Sequence, residues 1–347
     1  MSKPIVLVEC DPGEYYLRNL APIRDEADFR ISADLEFLKE NAPEADIILA
    51  IGMKPNSLRE LWPLARKVRW IHSLSAGVEK MLFPELAESP VPMTNAKGVF
   101  KRSLAEFAVL GILYFSKRVP LLLAQQRECR WEQFYVDWLP ERKVSIVGYG
   151  EIGRECAILA KALDMKILAT RRRVELLASD PIVDKAFAIS ELHQMLGESD
   201  FVIAAAPLTP ETHHMLSDAE FQAMKPSTVV INIGRGPVID EAALIRALQQ
   251  QWIAGAALDV FEDEPLASDS PLWRMSNVLI SPHCTDRTIA LRPPTLRFIC
   301  ASISGLSRRN FSLPPDSSSH CVTCVYWAVC CIQSRKCSMP ICTKSSK

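Results

Sequence analysis

Three polar residues in the second half of the chain stand where they could handle a small carboxylic acid. Arg235 follows the apolar run Val230-Ile-Asn-Ile, Glu264 ends Ala256-Ala-Leu-Asp-Val-Phe-Glu-Asp-Glu264, and His283 ends Asn277-Val-Leu-Ile-Ser-Pro-His283. An arginine presents a planar fork of donors that fits a carboxylate and can orient the neighbouring carbonyl carbon for attack. A lone imidazole is mostly neutral at pH 7, whereas a carboxylate beside it favours the imidazolium, so a His–Glu pair can give a proton and take it back. A cation for the carboxylate, an acid for the developing alkoxide and a held hydride carrier are what reduction of a 2-keto acid requires. Singly, each residue reads as structural. Their order and spacing, each at or just beyond the end of an apolar strand, give the set its meaning, because ligands of open parallel sheets bind at those ends.

The hydride carrier has its own signature upstream, Val144-Ser-Ile-Val-Gly148-Tyr-Gly150-Glu151-Ile152-Gly153. Gly148 permits a tight turn, Gly150 leaves room for a pyrophosphate, and Gly153 lets the following helix pack on its strand. The amides of Glu151 and Ile152 open that helix and face the phosphates. About twenty residues on, an NAD site places a carboxylate at the tip of the second strand. Here the strand ends in Thr170-Arg171-Arg172-Arg173. Guanidinium groups there suit a 2′-phosphate, so NADP(H) is expected in preference, with NAD(H) as the alternative.

In these motifs the chain resembles the D-isomer-specific 2-hydroxyacid dehydrogenase family, especially its glyoxylate and hydroxypyruvate reductases, from about residue 45 to Asp286. The resemblance implies catalytic roles for Arg235, Glu264 and His283, with Asp259 and His283 facing the nicotinamide. It implies that Ser73, Ala76 and Gly77, in Ser73-Leu-Ser-Ala-Gly-Val78, belong to the loop whose amides hold the substrate carboxylate together with Arg235. Pro207, Thr212 and Ile233 would line the cofactor. The glutamate at 264 argues against formate as substrate, because the family's formate dehydrogenases place Gln there. A homodimer is likewise implied.

The elements that must position these residues alternate along the chain. Ile5–Val8, Asp46–Ile51, Val68–His72, Val144–Val147, Ile167–Ala169, Phe201–Ala205, Val229–Ile233, Ala256–Val260 and Val278–Ile280 are short apolar runs. Such runs fit parallel strands covered by helices on both faces. Helices are expected over Ser103–Ser116 and Ile152–Leu163, after Ser217-Asp-Ala-Glu220, which has capping-box spacing, and over Asp240–Gln250. The fold expected is α/β with two domains and the active site between them. A flavodoxin-like substrate domain would occupy 1–104 and a Rossmann dinucleotide-binding domain 105–290. Between Arg127 and Arg142 the chain is charged and aromatic without periodicity. Trp131, Phe134, Tyr135 and Trp138 fit either packing within the domain or an oligomer contact.

Composition sets the outer limits. The 347 residues carry 40 basic and 41 acidic side chains, a formal net charge of −1, so no nucleic-acid or anionic-membrane partner is expected. No apolar stretch reaches 18 residues, and Met1-Ser-Lys-Pro leads directly into a strand pattern, so a cytoplasmic protein is expected. The chain changes character after residue 290. Residues 291–347 hold 7 of the 11 cysteines and a single acid, Asp316. They depart from the family pattern and read as a disordered, Ser/Cys-rich tail from a frameshifted or intron-derived end. Cys321-x-x-Cys324 lacks a second tight pair, so no metal is expected. Two rival functions also fit the sequence: a phosphoglycerate-type or other D-2-hydroxyacid dehydrogenase, with Arg66, Lys67, Arg69 and Lys80 as the nearest basic residues, and a nucleotide-sensing protein without turnover.

Overall fold

The computed structural model describes residues 3–50, 56–75, 77–78 and 81–287. The tail from 291 onward, and with it the expectation of disorder, lies outside the described residues. The chain divides into two compact units, with described residues 3–100 in the first and 101–287 in the second. The division falls just ahead of α4 (Lys101–Ser116), so that helix belongs whole to the second unit.

The first unit is built on five parallel strands, β1 (Ile5–Glu9), β2 (Asp28–Ser32), β3 (Ile47–Ala50), β4 (Trp70–Ser73) and β5 (Met93–Asn95), in the order β2-β1-β3-β4-β5. This is the flavodoxin-like order. Successive side chains of a strand point to opposite faces. Leu7, Ile48 and Ile71 therefore enter one apolar core, while Val6, Val8, Ile47, Leu49 and Trp70 enter the other. Helices α1 (Leu35–Asn41), α2 (Ser57–Leu61) and α3 (Pro84–Ala87) complete the first unit's α/β alternation. Beneath the end of β4, Thr94 Oγ1 accepts from Trp70 Nε1 at 2.9 Å and lies 2.8 Å from His72 Nδ1. Burial pushes His72 down to about 4, so this imidazole is neutral in the folded protein.

The second unit carries seven parallel strands: β6 (Lys143–Val147), β7 (Lys166–Thr170), β8 (Lys185–Phe187), β9 (Phe201–Ala204), β10 (Val229–Asn232), β11 (Gly255–Leu258) and β12 (Val278–Ile280). Their order is β12-β11-β10-β9-β6-β7-β8. Counted from β6 this is the doubly wound dinucleotide-binding order with one further strand, and its reversal point lies between β6 and β9. Helices α4, α5 (Val119–Arg127), α6 (Glu151–Lys161), α7 (Leu192–Glu198), α8 (Asp218–Ala223) and α9 (Glu241–Gln249) accompany the sheet. Gly111 lets α4 approach the sheet closely, since a Cβ there would stand 3.0 Å from that of Ala257 on β11. Ser217 precedes α8 and donates its amide to Glu220 at 3.1 Å, while its hydroxyl reaches Asp240, whose carboxylate caps α9 through the Ala243 amide.

The core strands expected from sequence are present within a residue or two at their ends. Three further strands are β2, β5 and β8, each at an edge of its sheet. An edge strand has one neighbour and a face partly open to water, so β2 (Asp-Phe-Arg-Ile-Ser) and β8 (Lys-Ala-Phe) show no apolar run. Residues 128–139 form an irregular arm outside helices and strands. Trp131 is 96%, Tyr135 93% and Trp138 77% exposed, so these three are not packed within their own unit, whereas Phe134 is partly buried. No single helix among the described residues is long and apolar enough to cross a membrane.

Candidate active site

Three adjacent strands place the chemistry. In β10, β11 and β12, Asn232, Leu258 and Ile280 lie in register, and each strand runs at once into a polar segment. Asp259 donates its amide to Asn232 O at 3.0 Å, Ser281 to Leu258 O at 2.8 Å, and His283 to Asp259 O at 2.9 Å. The segments are thus sewn together by the main chain before any side chain is considered.

His283 has φ +48°, a left-handed conformation costing a non-glycine residue about 1–2 kcal/mol. Asp259 supplies what holds it. Its side chain is 1% exposed, and its carboxylate accepts from Ser281 Oγ at 2.6 Å, from the Cys284 amide at 3.1 Å, from the Thr285 amide and from the Thr285 hydroxyl. The Asp259 carboxylate therefore organises the loop that carries His283. His283 Nδ1 meets Glu264 Oε2 at 2.8 Å, and Glu264 Oε1 accepts the Phe261 amide at 3.2 Å. With Nδ1 donating to a fixed carboxylate, Nε2 is the ring nitrogen left to exchange a proton. The sequence reading missed Asp286: burial pushes its carboxyl up, Asp259 adds to this, and His283 and Arg287 oppose it. Its place three residues after His283 was the only signal.

Arg235 sits in the turn after β10. Asn232 shapes this turn, accepting the Gly234 amide at 3.1 Å and donating to Arg235 O at 3.2 Å. Arg235 Nη1 donates to Gly234 O at 2.8 Å. Gly236 is obligatory here, because a Cβ would stand 1.7 Å from Phe261 O. That close approach brings the Arg235 turn against the segment that leads into Glu264. Ile233 is buried and donates its amide to Ala204 O. Thr212 Oγ1 closes the 207–212 loop by bonding Pro207 O at 2.6 Å and accepting the Thr209 amide at 2.8 Å. His214, which follows that loop, pairs with Glu262.

At the reversal point, Gly148 has φ +92°, and a Cβ there would lie 2.4 Å from the Ala206 backbone. A Cβ on Gly153 would lie 2.8 Å from Gly148 O, whereas one on Gly150 would meet nothing within 4 Å. The turn is therefore closed on the protein side and open on the other, beside the first amides of α6. This is the cradle a pyrophosphate requires. Glu151, the acid in the first turn of α6, is paired with Lys101 at 3.3 Å. Thr170 is fully buried and its carbonyl accepts the amides of Gly148 and Tyr149. Arg171 and Arg172 extend beyond it, and their charges act on Tyr149 and Glu211 respectively. Positions 170–173, Thr-Arg-Arg-Arg, themselves carry no carboxylate.

In the first unit Ser73 is buried at the end of β4, and its hydroxyl accepts the Ser75 amide at 3.1 Å. Gly77 is described and partly exposed, while Ala76 and Lys80 lie outside the described residues. Arg69 is engaged by Asp46 at 2.9 Å, which leaves Arg66 and Lys67 as the described basic side chains considered for a substrate phosphate.

The sequence profile described as "D-isomer specific 2-hydroxyacid dehydrogenase, NAD binding domain" matches residues 109–285. A glyoxylate reductase of Thermococcus litoralis is 31% identical over 288 residues, covering 80% of this chain and 85% of its own length. One from Thermococcus gammatolerans is 30% identical over 289 residues, with 81% and 84% covered. Among solved structures, a D-isomer-specific 2-hydroxyacid dehydrogenase family protein from Aeromonas salmonicida superposes with a TM-score of 0.75 at 28% identity, covering 88% of this chain and 96% of that one. The enzyme from Xanthobacter autotrophicus, in complex with NADPH and MES, gives 0.71 at 26% identity, with 90% and 97% covered.

Proposed function

The chain belongs to the D-isomer-specific 2-hydroxyacid dehydrogenase family, and on that premise we propose that it reduces a small 2-keto acid, glyoxylate or hydroxypyruvate, with NADPH. As a member it is an NAD(P)-dependent oxidoreductase. The observation that carries the finer reading is the Glu264–His283 pair beside the Arg235 turn, on three strands in register. Support for glyoxylate comes from the relatives of that name, and for NADPH from the Xanthobacter complex and from Arg171 and Arg172.

The bound dinucleotide supplies the hydride. The amides of Glu151, Ile152 and Gly153 would hold its pyrophosphate, with Gly148 closing the turn and Gly150 leaving it open, and Pro207, Thr212, Ile233 and Asp259 would stand around the nicotinamide end. Arg235 forks onto the substrate carboxylate and fixes the plane of the keto carbon. His283, oriented by the contact of its Nδ1 with Glu264, gives the Nε2 proton to the developing alkoxide. In the oxidative direction the same nitrogen accepts it. The exposed aromatic arm at 128–139 supports a contact with a second copy of the chain, because Trp and Tyr concentrate at interfaces. A cytoplasmic setting is part of the same reading.

Two variants bear on the assignments. Glu264→Gln replaces the carboxylate that meets His283 Nδ1 at 2.8 Å with a neutral amide of the same size, so turnover is expected to fall roughly tenfold. An unchanged turnover separates Glu264 from the proton donor. Arg171→Asp replaces a phosphate partner with a repelling charge, and the ratio of NADPH to NADH efficiency is expected to fall roughly 100-fold. The proposal as a whole is tested by rates of the purified full chain with glyoxylate, hydroxypyruvate and 3-phosphohydroxypyruvate, each with NADPH and NADH. A clear preference for the phosphorylated acid would replace the small-acid reading with the phosphoglycerate-type one.

A further inference from the structure

The segment from Thr170 to Asp180, which carries the basic turn Arg171–Arg173, is tied at its start and at its end to the phosphate-binding turn and the helix that follows it. At its start the Thr170 carbonyl accepts the amides of Gly148 and Tyr149, each at 3.1 Å. At its end, after the short turn Val174–Leu177 and the buried Leu177, stands Asp180. One carboxylate oxygen of Asp180 accepts from Tyr149 Oη at 3.1 Å and from Arg154 Nε at 2.6 Å. The other accepts the Ile182 amide at 3.2 Å and lies 3.4 Å from Arg154 Nη2. Tyr149 is the second residue of the glycine turn and is 4% exposed; Arg154 follows Gly153 on α6. The Asp180 side chain is 13% exposed.

We propose that Asp180 is a positioning residue for cofactor choice. Through Tyr149 and Arg154 it pins the end of the segment carrying Arg171–Arg173 to the phosphate-binding turn and the helix that follows it, and so fixes where the guanidinium groups meet a 2′-phosphate. This rests on the NADP(H) reading above. The cofactor's pyrophosphate and its 2′-phosphate are joined by one ribose of fixed dimensions, so two anion sites must keep a fixed separation to hold both. A turn anchored only at Thr170 would swing about one end. The second anchor converts a loose basic loop into a preorganised site, which improves affinity by lowering the cost of ordering it. The Asp180 carboxylate is acidic enough to remain an anion for this: burial pushes it up, but Arg154, the Ile182 amide and Tyr149 outweigh burial and hold it below the usual carboxylate range. Arg154, held by a carboxylate at two nitrogens, is engaged as a strut rather than offered to the phosphates.

The charge of Asp180 makes the test sharp. Acting only through space, a carboxylate near a basic turn repels a phosphate, and removing it should tighten binding. Acting as an anchor, its removal should loosen binding. The two accounts differ in sign. The probes are 2′,5′-ADP, which carries the 2′-phosphate, and 5′-AMP, which lacks it, each titrated calorimetrically into the full chain and into Asp180→Asn and Tyr149→Phe. The expected result is a roughly tenfold weakening of 2′,5′-ADP in Asp180→Asn, with 5′-AMP within twofold of its original affinity. Tyr149→Phe, which removes one of the two links, should show a smaller loss in the same direction and keeps the test open if Asp180→Asn does not fold. Unchanged or tighter 2′,5′-ADP binding, or an equal loss for both probes, would overturn the anchor while leaving the NADP(H) reading intact. Equal affinities of the unaltered chain for the two probes would instead remove the NADP(H) reading on which the anchor depends.

Discussion

His283→Ala is expected to lower turnover with a 2-keto acid by about three orders of magnitude while the affinity for NADPH stays within a few fold. General acid catalysis by a positioned side chain contributes roughly 10²–10⁴ in rate, and the proton is needed only as the carbonyl oxygen gains charge, so the loss should fall on the chemical step. The structure supports a clean outcome. The loop carrying His283 is held chiefly through the Asp259 carboxylate, by Ser281, Cys284 and Thr285, none of which depends on the imidazole. The substitution also relieves no core packing, as the His283 side chain is 41% exposed. A variant that kept a tenth or more of the original rate would show that water, or a neighbouring group such as Asp286, can deliver the proton. Fluorescence titration of NADPH alongside the rate assay separates lost chemistry from lost binding.

Arg235→Lys should reduce kcat/KM for the keto acid by about 100-fold, through both a lower kcat and weaker acid binding. Lysine preserves the charge, so any account based on charge alone expects little change. The geometric account differs, because an ammonium is a point charge and a guanidinium is a rigid fork that sets the plane of what it holds. A reacting carbon displaced by about 1 Å can lose 100-fold in rate. The turn around Arg235 is built for rigidity, with Asn232 bonded to Gly234 and Arg235 and with Gly236 pressed against Phe261. Steady-state kinetics over a range of acid concentrations check this. Near-normal efficiency in the lysine variant would reduce Arg235 to an electrostatic anchor.

Much of this site is legible in the sequence because its parts are local. The glycine turn, the basic strand tip and the three polar residues each follow an apolar run that can only be a buried strand, and in a parallel sheet such ends gather on one side. What stayed hidden depends on partners distant in sequence. Nothing near Asp259 says that its carboxylate is taken up by residues 281–285, and nothing near Tyr149 says that its hydroxyl finds Asp180. The edge strands β2 and β8 were missed for another reason: a strand with one neighbour has too little buried surface to impose an apolar pattern. Thr170 at the strand tip is fully buried, and Arg171 and Arg172 follow it.

The central claim is that the Arg235, Glu264 and His283 segments together reduce a small 2-keto acid on one face. It is tested most directly by enantioselective product analysis after incubating the purified full chain with hydroxypyruvate and NADPH. The expected result is D-glycerate alone, one molecule for each NADPH consumed, and close to none with His283→Ala. NADPH consumption without glycerate, L-glycerate or a racemate, or no reaction by a folded chain that binds NADPH, would contradict it.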